Sequence, residues 1–388
     1  MKKQLMICII LLILLCSSIV WGEGGDVLDF VIGDRLESLT SSDFDNILRD
    51  VLRENNIMIE GGTKELIKRI IKGEKVLQGE SLWQSISIIF FDELRFSMEL
   101  LSKILIITLI STILTNLQNS FEDSSISEMA NYVTYILISI LVIASFSGVM
   151  DMVTISVNRM GNFMQILLPI LLTLLVLTGG PSARILFHPM ILATVNIVGV
   201  MIKNIIFPLI YFSFIVSIVS NLSKRVELGK LSELARQIIA FIISAAFTIF
   251  IGILTIYGLS TKIDGITIRT AKFAVDKFVP VVGGFLSDAV DAVIGSSTIL
   301  KNGIGIIGLI VIALIILAPL IKVSALLLVY KIIGAIIEPI ASPNIVNFFT
   351  DISKTLLLIL ISMVSITIMF FITITIIVDT SNSLLMLR

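Results

Sequence analysis

Apolar runs long enough to cross a lipid bilayer recur through this 388-residue chain, and they constrain its fold more than any other feature. A helix needs about 20 apolar residues to span the hydrocarbon core, whereas strands of a barrel need far fewer. The runs lie at residues 100–118, 129–150, 162–180, 185–202, 204–222, 237–260, 302–321, 323–341 and 355–378. They predict an all-α, polytopic helical membrane protein. Because only Lys203 separates two of the runs, residues 185–222 form either a tight hairpin or a broken long helix, and we expect eight or nine spans.

The composition excludes several classes of soluble protein. Hydrophobic residues make up 56% of the chain and charged residues only 15%, whereas an average globular domain has about 25% charged residues. The formal net charge of −1 offers no basic face for nucleic acid, so we expect no nucleic-acid partner. Charge is concentrated before residue 96, and we expect the lipid bilayer to surround a multi-span membrane domain at residues 96–388.

The N-terminus has the pattern of a secretory signal peptide. Lys2 and Lys3 precede an apolar run at residues 5–15 that is short for a membrane span. Val20 and Gly22 supply the small residues that precede a cleavage site. We therefore predict a signal peptide at residues 1–22, with an uncleaved anchor as the alternative. Either one makes residues 23–95 an extracytoplasmic segment.

Two short amphipathic helices are predicted in the extracytoplasmic segment. The first begins at the N-cap residue Ser42, and its apolar face consists of Phe44, Ile47, Leu48, Val51 and Leu52. The second begins at Thr63, and its apolar side consists of Leu66, Ile67, Ile70 and Ile71. Such helices cannot bury a large core alone. They form either a small helical cap on the membrane domain or a docking module for another protein.

Basic residues in short loops favour an extracytoplasmic N-terminus and a cytoplasmic C-terminus. With nine spans, seven basic residues fall on the cytoplasmic side, namely Arg184, Lys224, Arg225, Lys230, Arg236, Lys322 and Arg388. Three fall in short outer loops, namely Arg159, Lys203 and Lys354. A long outer loop at 261–301 adds five, namely Lys262, Arg269, Lys272, Lys277 and Lys301, and cancels the bias when it is counted.

The long outer loop contains two half-apolar helical pieces. Arg269 and Lys272 form the polar side of the first piece, and Asp288 and Asp291 share a face of the second. Between them a break runs from Pro280 to Gly283 and Gly284. The pattern fits a re-entrant hairpin that lines an aqueous path, because irregular backbone at membrane depth needs protein or water around it. The alternative is a pair of interfacial helices that lie flat on the outer surface.

Two charged residues interrupt the run at 323–341. Lys331 and Glu338 are seven positions apart and lie on one helix face. Charges at membrane depth are costly unless they are paired or hydrated. The two residues face a pore or a neighbouring subunit, or they snorkel from a short or tilted helix.

The sequence offers little catalytic chemistry. It has one histidine and two cysteines, and both cysteines lie in the predicted signal peptide. No P-loop or nucleophile elbow is present in it. Gly303, Gly305 and Gly308 match a nucleotide-binding spacing, but they lie in an apolar run, where small residues serve helix contact. We expect no catalytic residues, no cofactor, no metal and no enzymatic activity.

Several motifs resemble one known family. Specific among them are Leu117-Gln118-Asn119, Phe187-His188-Pro189, the run from Asp264 to Phe273, and the run from Pro280 to Gly283. With these motifs the chain resembles the stage III sporulation protein AE family of endospore-forming Firmicutes. The resemblance is weakest before about residue 80, where helix-forming patterns rather than shared motifs dominate.

The resemblance implies a role in sporulation. It implies a membrane component of a channel or secretion-like complex between mother cell and forespore that supports late forespore gene expression. The implied partners are the other proteins of the stage III sporulation operon, including a secretion-type ATPase, and the stage II sporulation protein Q. An oligomer in the mother-cell membrane around the forespore is expected. The alternative is a stand-alone secondary permease for a small solute, for which Lys331 and Glu338 are the motivation.

Overall fold

The computed structural model describes residues 42–54, 69, 79–119, 124–178, 181–222, 228–278 and 282–386. The helices are α1 (Ser42–Glu54), α2 (Gly79–Asn119), α3 (Ser124–Leu177), α4 (Pro181–Met201), a π turn (Ile202–Ile206), α5 (Phe207–Leu222), α6 (Gly229–Phe278), α7 (Val282–Ile337) and α8 (Pro343–Met386). These ranges contain no strand, so the predicted all-α class is confirmed for them. The predicted signal peptide lies outside the described residues, as does the helix beginning at Thr63 except for Arg69, which is helical.

Continuous helices replace two of the predicted loops. The run at 129–150 and residues 162–177 of the next run lie in α3, and the run at 302–321 and residues 323–337 of the next run lie in α7. The π turn joins α4 to α5 at Lys203, so residues 185–222 form the interrupted long helix rather than the tight hairpin. Within the described ranges, five helical stretches are long and apolar enough to cross a membrane: Tyr132–Leu177, Pro189–Leu222, Gly229–Ile256, Ala292–Ile337 and Pro343–Asp379. The eight or nine separate spans are therefore not confirmed.

The middle of α3 shows why the predicted loop at 151–161 does not form. Val153, Val157 and Met160 are buried on one side of the helix, whereas Asp151 and Arg159 are exposed on the other. This is the spacing of an amphipathic helix. Charge lowers the local hydropathy, but no residue in this stretch breaks the helix, so the chain passes through it without a turn.

The long helices alternate in direction along one bundle. The Tyr135 hydroxyl of α3 donates to the Ile218 carbonyl of α5 over 2.7 Å, and Phe146 stacks on Phe214 at 3.7 Å between ring centroids. In α7 and α8, the ring of Tyr330 lies 6.0 Å from that of Phe349. Residues far apart along each helix pair with residues in the reverse order on the next, which is the antiparallel arrangement expected from short turns.

Glycines allow the closest approach between helices. A Cβ atom on Gly305 of α7 would collide with Val378 of α8, and one on Gly308 would collide with Leu167 of α3. Small residues at such crossings let apolar helices pack backbone to backbone. The predicted role of these glycines in helix contact is confirmed.

Helix α1 packs on the long helices, and the extracytoplasmic cap to which it was assigned stays a prediction. It begins at Ser42, and Phe44, Leu48, Val51 and Leu52 are buried. The ring of Phe44 stacks on that of Phe163 in α3, with 5.7 Å between centroids. The predicted division between residues 95 and 96 falls inside α2, which continues through it.

Two ion pairs contradict the predicted sides of the membrane. Asp351 binds Arg236 at 3.1 Å and Lys354 at 3.3 Å, although these basic residues were expected on opposite sides. Glu93, expected outside, lies 3.9 Å from Lys322, expected in the cytoplasm. The side assignment with nine spans is wrong at these positions. It fails because two predicted spans that form one continuous helix cross the membrane once rather than twice, which changes the side assigned to every later loop.

Candidate functional site

The described residues of the predicted hairpin lie on helical backbone. Arg269 and Lys272 belong to α6, and Gly283, Asp288 and Asp291 belong to α7. Pro280 lies outside the described residues, as do the side chains of the other five. The described parts of the expected loop, residues 261–278 and 282–301, are therefore helical extensions of α6 and α7. The aqueous path that these residues were predicted to line stays a prediction.

Lys331 and Glu338 lie on the outer surface of the bundle. Both are exposed, whereas Tyr330 beside them is fully buried. Glu338 follows the last residue of α7, at the turn to α8. The structure brings neither residue into the packed interior.

A polar network joins α5, α6 and α8 near one end of the bundle. The Asn221 amide donates to Asp351 over 3.4 Å, and Arg236 donates to the same carboxylate over 3.1 Å. The hydroxyls of Ser217 and Ser232 are 2.6 Å apart beside it. The Arg236 and Asp351 side chains are only 11% and 17% exposed, so the pair is largely desolvated. The network holds three helices in register and was missed because its members are far apart in sequence.

Lys301 lies at the opposite end of the bundle. It was expected in the outer loop, but its side chain is fully buried. Its ammonium donates to the carbonyls of Ile377 and Val378 over 3.0 and 2.9 Å. A buried ammonium needs such acceptors to replace water. This contact fixes α7 against α8 at the point where the helical extension begins.

A row of polar side chains runs along the outer surface of α3 and α4. We call it the polar seam, and its members are Asp151, Arg159, Asn162, Gln165, Asn196, Lys203 and Asn204. All seven are exposed. The Gln165 amide donates to the Asn196 side chain over 2.7 Å, which joins the two helices of the seam.

The π turn shapes one side of the polar seam. In it Lys203, Asn204 and Ile205 are three consecutive exposed residues, which a regular helix would spread around its circumference. Single π turns within helices are frequent at functional sites. The sequence contains a signal for the seam, because Asp151, Arg159 and Asn162 are spaced for one helix face. The prediction of a loop at 151–161 separated Asp151 and Arg159 from Asn162 and hid that spacing.

Comparison with known proteins identifies the family. A family model described as stage III sporulation protein AE matches residues 62–381, which include all the long helices from α2 to α7 and most of α8. The chain belongs to the stage III sporulation protein AE family. It is 32% identical over 352 residues to stage III sporulation protein AE of Bacillus subtilis (strain 168), which covers 90% of this chain and 88% of that relative. No solved structure matches the chain.

Membership of the stage III sporulation protein AE family confirms the resemblance found in the motifs. The matched residues include the polar seam, the network around Asp351 and the buried Lys301. Helix α1 lies before the matched residues, in agreement with the weak resemblance there. A role in sporulation follows from the family.

Proposed function

We propose that the chain is a non-enzymatic membrane component of the channel or secretion-like complex between mother cell and forespore, and that it supports late forespore gene expression. The observation that carries the proposal is the family match over residues 62–381. Five stretches apolar enough to cross a membrane support a place in the bilayer. The location that we propose is the mother-cell membrane around the forespore.

The proposed partners are the other stage III operon proteins, the stage II sporulation protein Q and further copies of this chain. The exposed polar seam supports an assembly, because polar side chains on apolar helices need a cover other than acyl chains. A secretion-type ATPase among the partners would supply energy. A stand-alone permease receives no support, because Lys331 and Glu338 lie on the outer surface.

Deletion of the gene in its sporulating host tests the role. We expect late forespore reporters to fall while early forespore reporters and vegetative growth are unchanged. Complementation with the native gene and with Gly295→Ala should restore the late reporters, because a Cβ at Gly295 meets nothing within 4 Å. A growth defect before sporulation, or normal late expression in the deletion strain, would contradict the proposal.

Purification of the tagged chain from sporulating cells tests the partners. We expect stage III operon proteins to accompany it from mild detergent, and to be absent when the tag is on an unrelated membrane protein. Recovery of the tagged chain alone, with full uptake activity in liposomes, would favour a permease instead.

A further inference from the structure

Helix α1 is attached to the bundle by one apolar face. Phe44, Leu48, Val51 and Leu52 are buried, and the helix lies against α3 and α7. The ring of Phe44 stacks on that of Phe163 in α3, with 5.7 Å between centroids. Because the described buried side chains of α1 are all apolar, the hydrophobic effect holds this contact together.

The opposite face of α1 is polar and points away from the bundle. Its exposed residues are Asn46, Arg49, Asp50 and Arg53. The buried residues recur at i, i+4, i+7 and i+8, which is the spacing by which amphipathic helices dock into apolar grooves of other proteins. The contact of α1 with α3 and α7 therefore has the form of a helix-in-groove complex within one chain.

The packing of the bundle does not depend on α1. The helix has 13 residues, and an isolated helix of that length is marginal in water, so α1 is ordered because the bundle binds it. The closest approaches between the long helices lie elsewhere, where Gly305 faces Val378 and Gly308 faces Leu167. Segments with few buried contacts open locally while the rest of a protein stays folded. Helix α1 is such a segment.

We propose that the surface of α3 and α7 around Phe163 is a docking site for an amphipathic helix, and that α1 occupies this site reversibly. The occupant is α1 because it is the helix that the structure seats there. When α1 leaves, the site is open to a helix with the same apolar spacing. This inference goes beyond the proposed function and does not depend on it.

A peptide with the sequence of Ser42–Glu54 tests the site in trans. Leu48→Asp in the full-length chain places a charge on the buried face of α1 and should release the helix. We expect the peptide to bind this chain about tenfold more tightly than the native chain, because the tethered native α1 competes at a high effective concentration. The measurement is the fluorescence anisotropy of the labelled peptide with purified chains in detergent micelles.

Asn46→Asp supplies a matched control. It makes the same charge change on the exposed face of α1, so α1 should stay in place and the peptide should bind as weakly as to the native chain. A peptide that carries Leu48→Asp should bind neither chain. In the Leu48→Asp chain, Phe163→Leu removes the ring stack and should weaken binding of the native peptide about fivefold.

Hydrogen exchange of the native chain tests the reversible release without a variant. The amides of residues 46–54 should exchange about a hundredfold faster than those of residues 304–312 in α7. The second segment contains the buried residues Ile304, Ile307, Val311 and Ile312, so its amides become accessible only when the bundle opens.

Four results would overturn the inference. Two concern the peptide: equal binding to the native and Leu48→Asp chains, or the same gain in binding with Asn46→Asp as with Leu48→Asp. The third is no binding to a Leu48→Asp chain that keeps the native melting temperature. The fourth is protection of the α1 amides equal to that of the α7 amides. If the Leu48→Asp chain fails to fold, the hydrogen exchange of the native chain decides alone.

Discussion

Asp351 is the acceptor that three side chains share. Asn221, Arg236 and Lys354 all donate to its carboxylate, from 3.1 to 3.4 Å. Two of these donors come from neighbouring helices, so the carboxylate fixes α5 and α6 against α8. The net stability from a desolvated pair is modest, but removal of one partner leaves the other charge buried and uncompensated.

Asp351→Asn tests this asymmetry. The amide keeps the volume but cannot balance the Arg236 guanidinium, so we expect a loss of about 3 kcal/mol in the free energy of unfolding. The measurement is reversible unfolding in detergent micelles. Lys354→Gln is the control, because Lys354 is 57% exposed and its bond to Asp351 is worth little. Equal losses in the two variants would show that burial does not decide the effect.

Lys301 gives a second prediction at the scale of a single residue. Lys301→Glu would place a carboxylate against the carbonyls of Ile377 and Val378, which accept its hydrogen bonds in the native chain. We expect this variant to misfold, because a buried anion facing acceptors has no compensation. Lys301→Met keeps the length of the side chain and removes the charge, and we expect it to fold. Thermal stability of both purified variants is the measurement, and a stable Lys301→Glu protein would refute the burial.

Close helix approach at Gly305 gives a prediction at the scale of the element. Gly305→Ala would force α7 away from Val378, whereas Gly295 in the same helix has no atom within 4 Å of an added Cβ. We expect Gly305→Ala to lose about 1–3 kcal/mol of stability by overpacking. Gly295→Ala should be neutral or gain about 0.5–1 kcal/mol from helix propensity. The measurement is the melting temperature of each variant under one condition. An equal change in melting temperature for both variants would contradict this explanation.

The sequence predicts single helices well where their signals are local. The apolar face of α1 agrees with the structure at Phe44, Leu48, Val51 and Leu52, because apolar spacing is a property of nearby residues. Ser42 itself lies inside the helix, so the N-cap predicted there stays a prediction. The helix-contact role of Gly305 and Gly308 agrees for the same reason.

The sequence predicts badly where helices end. Hydropathy falls at Asp151 and at Lys203; the first position is predicted in a loop, and the second in a tight hairpin or at a break in a long helix. The structure continues the helix through them, because charge changes the environment of a helix without breaking it. The polar seam, the network around Asp351 and the burial of Lys301 depend on contacts between distant residues, which no local pattern contains.

At the scale of the whole molecule, the length of the helices exceeds the thickness of a bilayer. The candidate span Tyr132–Leu177 has 46 residues, about 69 Å at the rise of a helix, whereas the hydrocarbon core is about 30 Å thick. Part of the bundle must therefore stand outside the membrane or meet other protein. A subunit of a larger assembly satisfies this requirement better than an isolated carrier does.

The order of the helices along the bundle predicts which loops share a side of the membrane. Arg236 near the start of α6 and Lys354 near the start of α8 bind one carboxylate, so these two helix starts lie at one end. Two variants test this, Lys230→Cys and Lys354→Cys, and each is made in a chain whose native cysteines are replaced by Cys8→Ser and Cys16→Ser. We expect both introduced cysteines to react with a membrane-impermeant maleimide from the same side of the membrane.

Asp379→Cys supplies the opposite reference for this labelling. It lies at the far end of the candidate span Pro343–Asp379, and it is exposed. A helix that crosses the bilayer separates Lys354 from Asp379, so the two cysteines should label from different sides in intact cells and alike after permeabilisation. Labelling of Lys230→Cys and Lys354→Cys from different sides would restore the nine-span arrangement, because that arrangement places them on opposite surfaces. That result would also be incompatible with the Arg236–Asp351 ion pair that joins α6 to α8, because a buried ion pair cannot join residues on opposite sides of a bilayer.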